Sequence, residues 1–482
     1  MTYEEFIESK SQLDAGDGFE PLWVPDFLFD FQKHLVNWNI RKGRSATFAD
    51  CGLGKTPMQL VIAENVVRKT NKRVIILTPL AVSAQTIREA EKFGIEAVRS
   101  REGQLPLTSK IVVTNYEQLH YYEPRDYIGC VADESSILKN FAGARRKQIT
   151  AFIRKMPYRL LCTATAAPND YIELGTSSEA LGYLDYPSML TRFFREEANL
   201  SVADKKRRRV KHGQELVLPK WVFKSYAEVF FWRWTCSWAR CLRKPSDLGF
   251  NDDGFILPAL RVNQHMVKVN SLPEGKLLHV AAVTMREQLE ERRRTIHERC
   301  EKAAELACTE EPVLVWCNLN PEGDLLEKLI PDCVQISGSD PDEVKEERWL
   351  AFITGQARVV VTKHKIGAFG LNLQHCAHEI TFPTHSWESY YQAVHRCQRF
   401  GQKRPVTIDI VTTEAERDVM ANLQRKQIAA DEMFEKMLEK MAEQLHIKRE
   451  VSESINIEVP EWMKNGNGSQ ISMPSILETA AK

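Results

Sequence analysis

Two sets of five short apolar runs govern what this chain can fold into. In the first, 45–49 (SATFA), 73–78 (RVIILT), 111–114 (IVVT), 128–132 (IGCVA) and 159–163 (RLLCT) alternate with helical patterns. The second set is 312–317 (PVLVWC), 333–337 (CVQIS), 358–362 (RVVVT), 378–382 (HEITF) and 406–411 (VTIDIV). Runs apolar on both faces, separated by helices, point to parallel sheets covered on each side. At 482 residues the chain also exceeds what one hydrophobic core accommodates. The expected fold class is therefore α/β, with two parallel-sheet lobes in tandem, a mainly helical insert and a C-terminal helix.

Composition shifts place the boundaries at a lead-in over 1–28, a first lobe over 29–169, a basic and Trp-rich insert and linker over 170–258, a second lobe over 259–412, a helix over 413–449 and a polar tail over 450–482. A long charged helical pattern at about 275–308 leads into the second lobe's strands. Lys plus Arg equals Asp plus Glu at 65 each, so no global field attracts polyanions and any nucleic-acid surface must be local. No run approaches the ~20 apolar residues of a membrane span, and the opening MTYEEFIESK is too acidic for a signal peptide. Eleven cysteines, scattered singly, fit reduced thiols in a cytoplasmic setting.

The stretch RSATFADCGLGKTPMQL, 44–60, runs from a strand through a glycine turn into a helix. It matches the phosphate-loop pattern, in which Gly52 and Gly54 let backbone amides approach phosphates, Lys55 reaches the terminal phosphates and Thr56 holds Mg²⁺. GCVADESSILKN delivers Asp133 and Glu134 at the C-terminal end of a strand, where ligands sit in such sheets. Asp133 suits an Mg²⁺ ligand and Glu134 the group that orients an attacking water. In VHRCQRFGQ, Arg396 and Arg399 fall three apart and share a helical face. An ATPase split over two lobes needs such a positive group from the far lobe.

These motifs, in their order, resemble helicase superfamily two, and within it the Swi/Snf-like branch of DNA translocases in a compact, phage-type form. DCGLGKT, LTPLAVSAQ, VVTNYEQL, ADESSILKN and LCTATAAPND correspond to first-lobe elements. CLRKPSDLGFNDDGFILP is similar to the family's basic linker, and EERWLAFITG, GAFGLNLQ and SWESYYQAVHRCQRFGQ to second-lobe motifs. The resemblance covers roughly residues 29 to 412 and implies RecA-like lobes with ATP and Mg²⁺ in the cleft. It implies that Gln32 reads adenine, that Gly370 lies on the nucleotide path, and that Ser136, Thr163, Thr165 and Gln392 couple the lobes. Thr114 and Asn372 would grip nucleic-acid backbone rather than bases, giving sequence-independent binding. It departs from the branch at Ser135-Ser136, where Ala-His is usual, and at Thr163-Ala164-Thr165 in place of Thr-Gly-Thr-Pro.

The implied activity is ATP-dependent movement along duplex DNA by a monomer, together with other replication or recombination proteins. A single-strand or RNA helicase is the alternative, and a weakly hydrolysing, nucleotide-dependent clamp is the alternative of another class. The run Lys205-Lys206-Arg207-Arg208-Arg209 is either a clamp on duplex backbone or a solvated loop. Trp221, Trp232, Trp234 and Trp238 favour the core of a small helical insert over a base-stacking wedge. Cys236 and Cys241 lack a second ligand pair at zinc spacing, and Cys51 reads as a buried inert thiol.

Overall fold

The computed structural model describes residues 17–104, 108–139, 143–167, 170–196, 221–224, 226–269, 285–367 and 372–445. The first lobe is built on β1 (Arg44–Ala49), β2 (Arg73–Thr78), β3 (Ala97–Arg99), β4 (Ile111–Asn115), β5 (Tyr127–Asp133) and β6 (Tyr158–Thr163). A short antiparallel pair, β7 (Phe194–Glu196) and β8 (Trp221–Phe223), precedes β9 (Ala239–Leu242). The sheet has seven parallel strands in the order β3-β4-β2-β5-β6-β1-β9. The second lobe uses β10 (Leu260–Val267), β11 (Val313–Cys317), β12 (Cys333–Ile336), β13 (Val359–Lys363), β14 (His378–Thr381) and β15 (Val406–Thr413). These six run parallel in the order β10-β15-β14-β11-β13-β12.

All ten apolar runs become strands of these sheets, and apart from the edge strand β12 their central residues are buried. Ile75, Ile76, Val112, Val113, Leu314 and Val360 are fully buried, as central strands covered by helices require. Five strands had no such signature. β3, β7, β8 and β9 are three or four residues long. β10, at a sheet edge, alternates only over Leu260 to Asn263, then runs through Gln264 and His265, and none of its residues is fully buried.

The segment 170–258 is not the separate insert its composition suggested. β9 pairs in parallel with β1, from Ala46↔Ala239 to Ala49↔Leu242, and so completes the first sheet. The helix Ala227–Trp238 that leads into it buries Phe231, Trp232, Trp234 and Trp238 in the first lobe's core. The tryptophans are core, but the core of the lobe itself, and Trp221 is half-buried in β8. Cys236 and Cys241 lie buried in the same core.

The helix Arg417–Leu445 starts from β15 in the second lobe and ends on the first. Met420 belongs to a second-lobe core, whereas Met433, Phe434, Met437, Leu438 and Met441 join the first-lobe core. Full burial of side chains of this size contributes about 1.5–3 kcal/mol each. Arg243 bonds Asp431 at 2.6 Å, and Lys426 Nζ donates to the His385 carbonyl at 3.0 Å. The helix thus clasps both lobes at once.

Candidate functional site

The glycine turn after β1 follows its sequence pattern. Gly52 (φ 87°) and Gly54 (φ 71°) occupy left-handed conformations, which only glycine adopts readily, and Gly54 opens the helix Lys55–Thr70. Thr56 is the second residue of that helix and half-buried. Lys55 Nζ donates to the Ala49 carbonyl at 2.9 Å and the Asp50 carbonyl at 3.2 Å, so its ammonium is folded over the loop. Gln32 is 3% exposed; its Nε2 donates to the Leu53 carbonyl at 3.0 Å and its Oε1 accepts from Phe29 N at 3.1 Å. A carboxamide has two donors and two acceptor lone pairs, so these two bonds use one of each.

Across the cleft floor, β5 ends at Asp133 and the chain turns sharply at Glu134 (φ 49°), a strained conformation for a non-glycine residue. Gln59 Nε2 donates to Asp133 Oδ1 at 2.7 Å, and the Tyr116 hydroxyl donates to the Asp133 carbonyl at 2.6 Å. Burial, and then the adjoining Glu134 charge, push the Asp133 carboxyl up to about 6. Among the described residues no cluster of three or more His, Cys, Asp or Glu is arranged to hold a metal. Asp133 and Glu134 nevertheless form a buried carboxylate pair, oxygen donors of the kind that Mg²⁺ takes.

The shift carries a testable sign. Because the folded carboxyl binds its proton more tightly than the unfolded one, near 3.9, its contribution to stability falls as pH rises from about 4 through about 6. A cation at the ionised group offsets that loss. Mg²⁺ is therefore expected to raise the thermal midpoint at pH 8 and to do little at pH 5. Equal effects at both pH values would mean that Asp133 does not hold Mg²⁺.

The second lobe meets this floor through the helix Trp387–Val394. Glu388, Tyr391 and Gln392 stand at i, i+3 and i+4 and therefore on one face. Gln392 Nε2 donates to Glu134 Oε2 at 3.3 Å, and Thr163 Oγ1 donates to the same oxygen at 3.2 Å. The Tyr391 hydroxyl bonds the Asp50 carboxylate just upstream of the glycine turn. Glu388 accepts from Thr165 Oγ1 at 3.4 Å and pairs with Lys139. Thr165 N in turn donates to Thr163 Oγ1 at 3.1 Å.

The arginine turn follows at once. Arg396 is 5% exposed and its Nε donates to the Gln392 carbonyl at 2.9 Å. A Cβ placed on Gly52 would lie 2.8 Å from Phe400 N and 3.5 Å from Arg399 Cβ, so the turn abuts the glycine loop. Burial, then the Arg396 charge, push the Arg399 guanidinium down to about 10. Phe400 stacks on Phe255 at 4.7 Å, and Phe29 meets the pair edge-on, forming an aromatic wall beside Gln32. Cys51 is half-buried rather than buried, and desolvation pushes its thiol up, the direction of an unreactive group.

Two sequence assignments need correction. Thr114, in β4, is 1% exposed with its hydroxyl buried, so it presents nothing to a nucleic-acid backbone. Ser136 reaches only the Glu134 carbonyl, at 3.5 Å, and the bond to Thr163 is made by Glu134 itself. Asn372 is exposed. Gly370 and Lys205 to Arg209 lie outside the described residues. Asp50, Glu388, Tyr391, Phe255 and Phe400 were not singled out from sequence. The helical spacing back from Gln392 was the one signal for Glu388.

No protein-family model matches the chain. The "uncharacterized ATP-dependent helicase YqhH" of Bacillus subtilis (strain 168) is 28% identical over 165 residues, 32% of this chain and 29% of its own length. The chain thus spans less than a third of that relative. The structure of S. cerevisiae Dbp5 bound to RNA and ADP BeF3 matches with a TM-score of 0.50 at 12% identity, covering 85% of this chain and 93% of that one. The Sulfolobus solfataricus SWI2/SNF2 ATPase core in complex with dsDNA matches at 16% identity over 89% of this chain and 99% of that chain, with a TM-score of 0.39. The fold is that of two RecA-like lobes in tandem, each a parallel sheet, followed by a long C-terminal helix. Among the described residues no helix is long and apolar enough to cross a membrane.

Proposed function

We propose that the chain is an ATP-dependent helicase or translocase of superfamily two, Swi/Snf-like, which closes its two lobes on ATP to move along or remodel duplex DNA. The observation that carries this reading is the Glu134 carboxylate shared between Thr163 of its own lobe and Gln392 of the other. A group that orients water is thereby tied to a coupling threonine and to the far lobe, so its geometry depends on closure.

The glycine turn and the start of the helix Lys55–Thr70 would receive the phosphates, and Lys55 would exchange its two carbonyl partners for phosphate oxygens. Mg²⁺, held by Thr56 and Asp133, would offset charge on the phosphates. Glu134 would orient the water, and Arg396 and Arg399 would meet negative charge as it develops. Gln32 with the Phe255–Phe400 wall would hold the base. Motion follows because the contacts of Glu388, Tyr391 and Gln392 all cross the cleft and must open when the product leaves.

Glu134→Gln is expected to lower ATP turnover by roughly 10²–10⁴-fold, the range for a positioned proton-handling group, while ATP remains bound. Turnover that is negligible in the parent and unchanged in the variant would end the motor reading and leave a nucleotide-dependent clamp. Duplex DNA, single-stranded DNA and RNA compared as activators of the parent test the substrate. Strongest activation by RNA or a single strand would replace the duplex assignment.

A further inference from the structure

We propose that the first lobe carries a second phosphate-binding site, a basic cavity that grips one strand of a nucleic-acid backbone at the sheet edge opposite the glycine turn. A cavity of about 270 Å³ opens where β2, β4 and β5 begin. Lys55 and Asp133 stand at the other ends of β1 and β5. In a parallel sheet all strands start at one edge, so a six-residue strand separates the two places by roughly 20 Å. The cavity is thus independent of the nucleotide cleft.

Charge identifies its ligand. Lys72, Arg73, Lys110 and Arg125 line the cavity against a single carboxylate, Asp126. The whole chain balances 65 cations with 65 acids, so this surplus is a local concentration in a concave place, where the field is focused. Thr108 adds a hydroxyl to the wall, while the Ser109 hydroxyl is spent on main-chain carbonyls, and such a cationic lining suits a phosphate anion rather than an apolar molecule.

The cations are also held in a row. β4, β2 and β5 are consecutive in the sheet, and Lys110, Arg73 and Arg125 stand at or just before their first residues. Val74 N donates to the Lys110 carbonyl at 2.8 Å, joining two of these starts. The Lys110 ammonium meets the side chain of Asn71, which caps the helix Lys55–Thr70. Register slips between Arg73 and Val74 where β2 meets β5, an irregularity of the kind that re-aims a side chain. Two inter-strand gaps span roughly 10 Å, longer than a single phosphate group and enough to meet more than one phosphate of a strand with a rise of about 3.4 Å per nucleotide. A backbone segment fits this spacing better than a single free phosphate.

The occupant rests on the nucleic-acid reading above, and the test separates the two. The full chain and its K72Q/K110Q/R125Q variant are titrated with duplex DNA across 50–200 mM salt. Loss of three contacts is expected to flatten the slope of log Kobs against log salt by about 2.7, and Lys72→Glu alone by about 1 or more. Turnover without nucleic acid is expected to stay unchanged, because the cleft is untouched. A folded triple variant with the parent's slope and affinity overturns the proposal. So does loss of inorganic pyrophosphate binding with DNA binding intact, which assigns the cavity to a free phosphate compound. A parent that binds no nucleic acid ends the helicase reading together with this occupant, whereas an unchanged slope in a DNA-binding variant ends this proposal alone.

Discussion

Arg399→Ala is expected to slow ATP hydrolysis by roughly 10³–10⁵-fold, the contribution of an arginine finger, with ATP binding close to that of the parent. Arg399 belongs to the second lobe, while the glycine turn, Lys55 and Asp133 that would hold the nucleotide all belong to the first. Its Cβ and the adjoining Phe400 N already abut Gly52, and its guanidinium is pushed down to about 10 by burial and by Arg396. Arg396 is buried and Arg399 half-buried, their like charges disfavour each other, and negative charge grows in the cleft as the phosphoryl group transfers. The interaction therefore strengthens toward the transition state, which lowers the barrier without tightening ground-state binding. Arg399→Lys keeps the charge but loses the planar fork, so it should recover only part of the rate. Single-turnover hydrolysis set against equilibrium ATP binding makes the measurement. Intact hydrolysis in Arg399→Ala, with binding lost instead, would place this arginine on the ground state and dissolve the closure mechanism.

Lys55→Ala is expected to abolish turnover and to weaken ATP binding as well, a pattern distinct from the arginine variant. In the resting loop the ammonium bonds two carbonyls, Ala49 and Asp50, which hold the turn between β1 and its helix. Each such bond contributes about 1.5–3 kcal/mol when one partner is charged, although half-exposure reduces this. The variant should therefore also unfold at a slightly lower temperature in the absence of nucleotide. With nucleotide present the gap should widen, because only the parent gains ligand stabilisation. A variant that ATP stabilises as much as the parent would contradict the assignment of Lys55 to the phosphates.

Much of the architecture was legible because its signals are local. A central strand needs a run of apolar residues whatever surrounds it, so VIIL, VVT and LVW announced themselves. The glycine turn needs positive φ at two positions, and only glycine supplies that cheaply, so GLGK was readable as well. β9 shows the limit: ARCL carries a charge and is four residues long, and it becomes a strand only because β1 offers an open edge. The tryptophans at 232, 234 and 238 were recognisably core material, but which core they fill was not written in them.

By itself the sequence determined the ten apolar strands, the glycine turn, the acidic pair and the arginine pair, since each is specified by residues within about ten positions of one another. Tertiary structure alone decided what joins them. Asp50 and Tyr391, Thr165 and Glu388, and Glu134 and Gln392 meet across more than 200 positions of chain. It also buried the Thr114 hydroxyl in β4 and drew the far end of the helix Arg417–Leu445 onto the first lobe. Local pattern states which face of a strand or helix is apolar or polar; which partner covers that face depends on how the lobes close, and no short window of sequence holds that information.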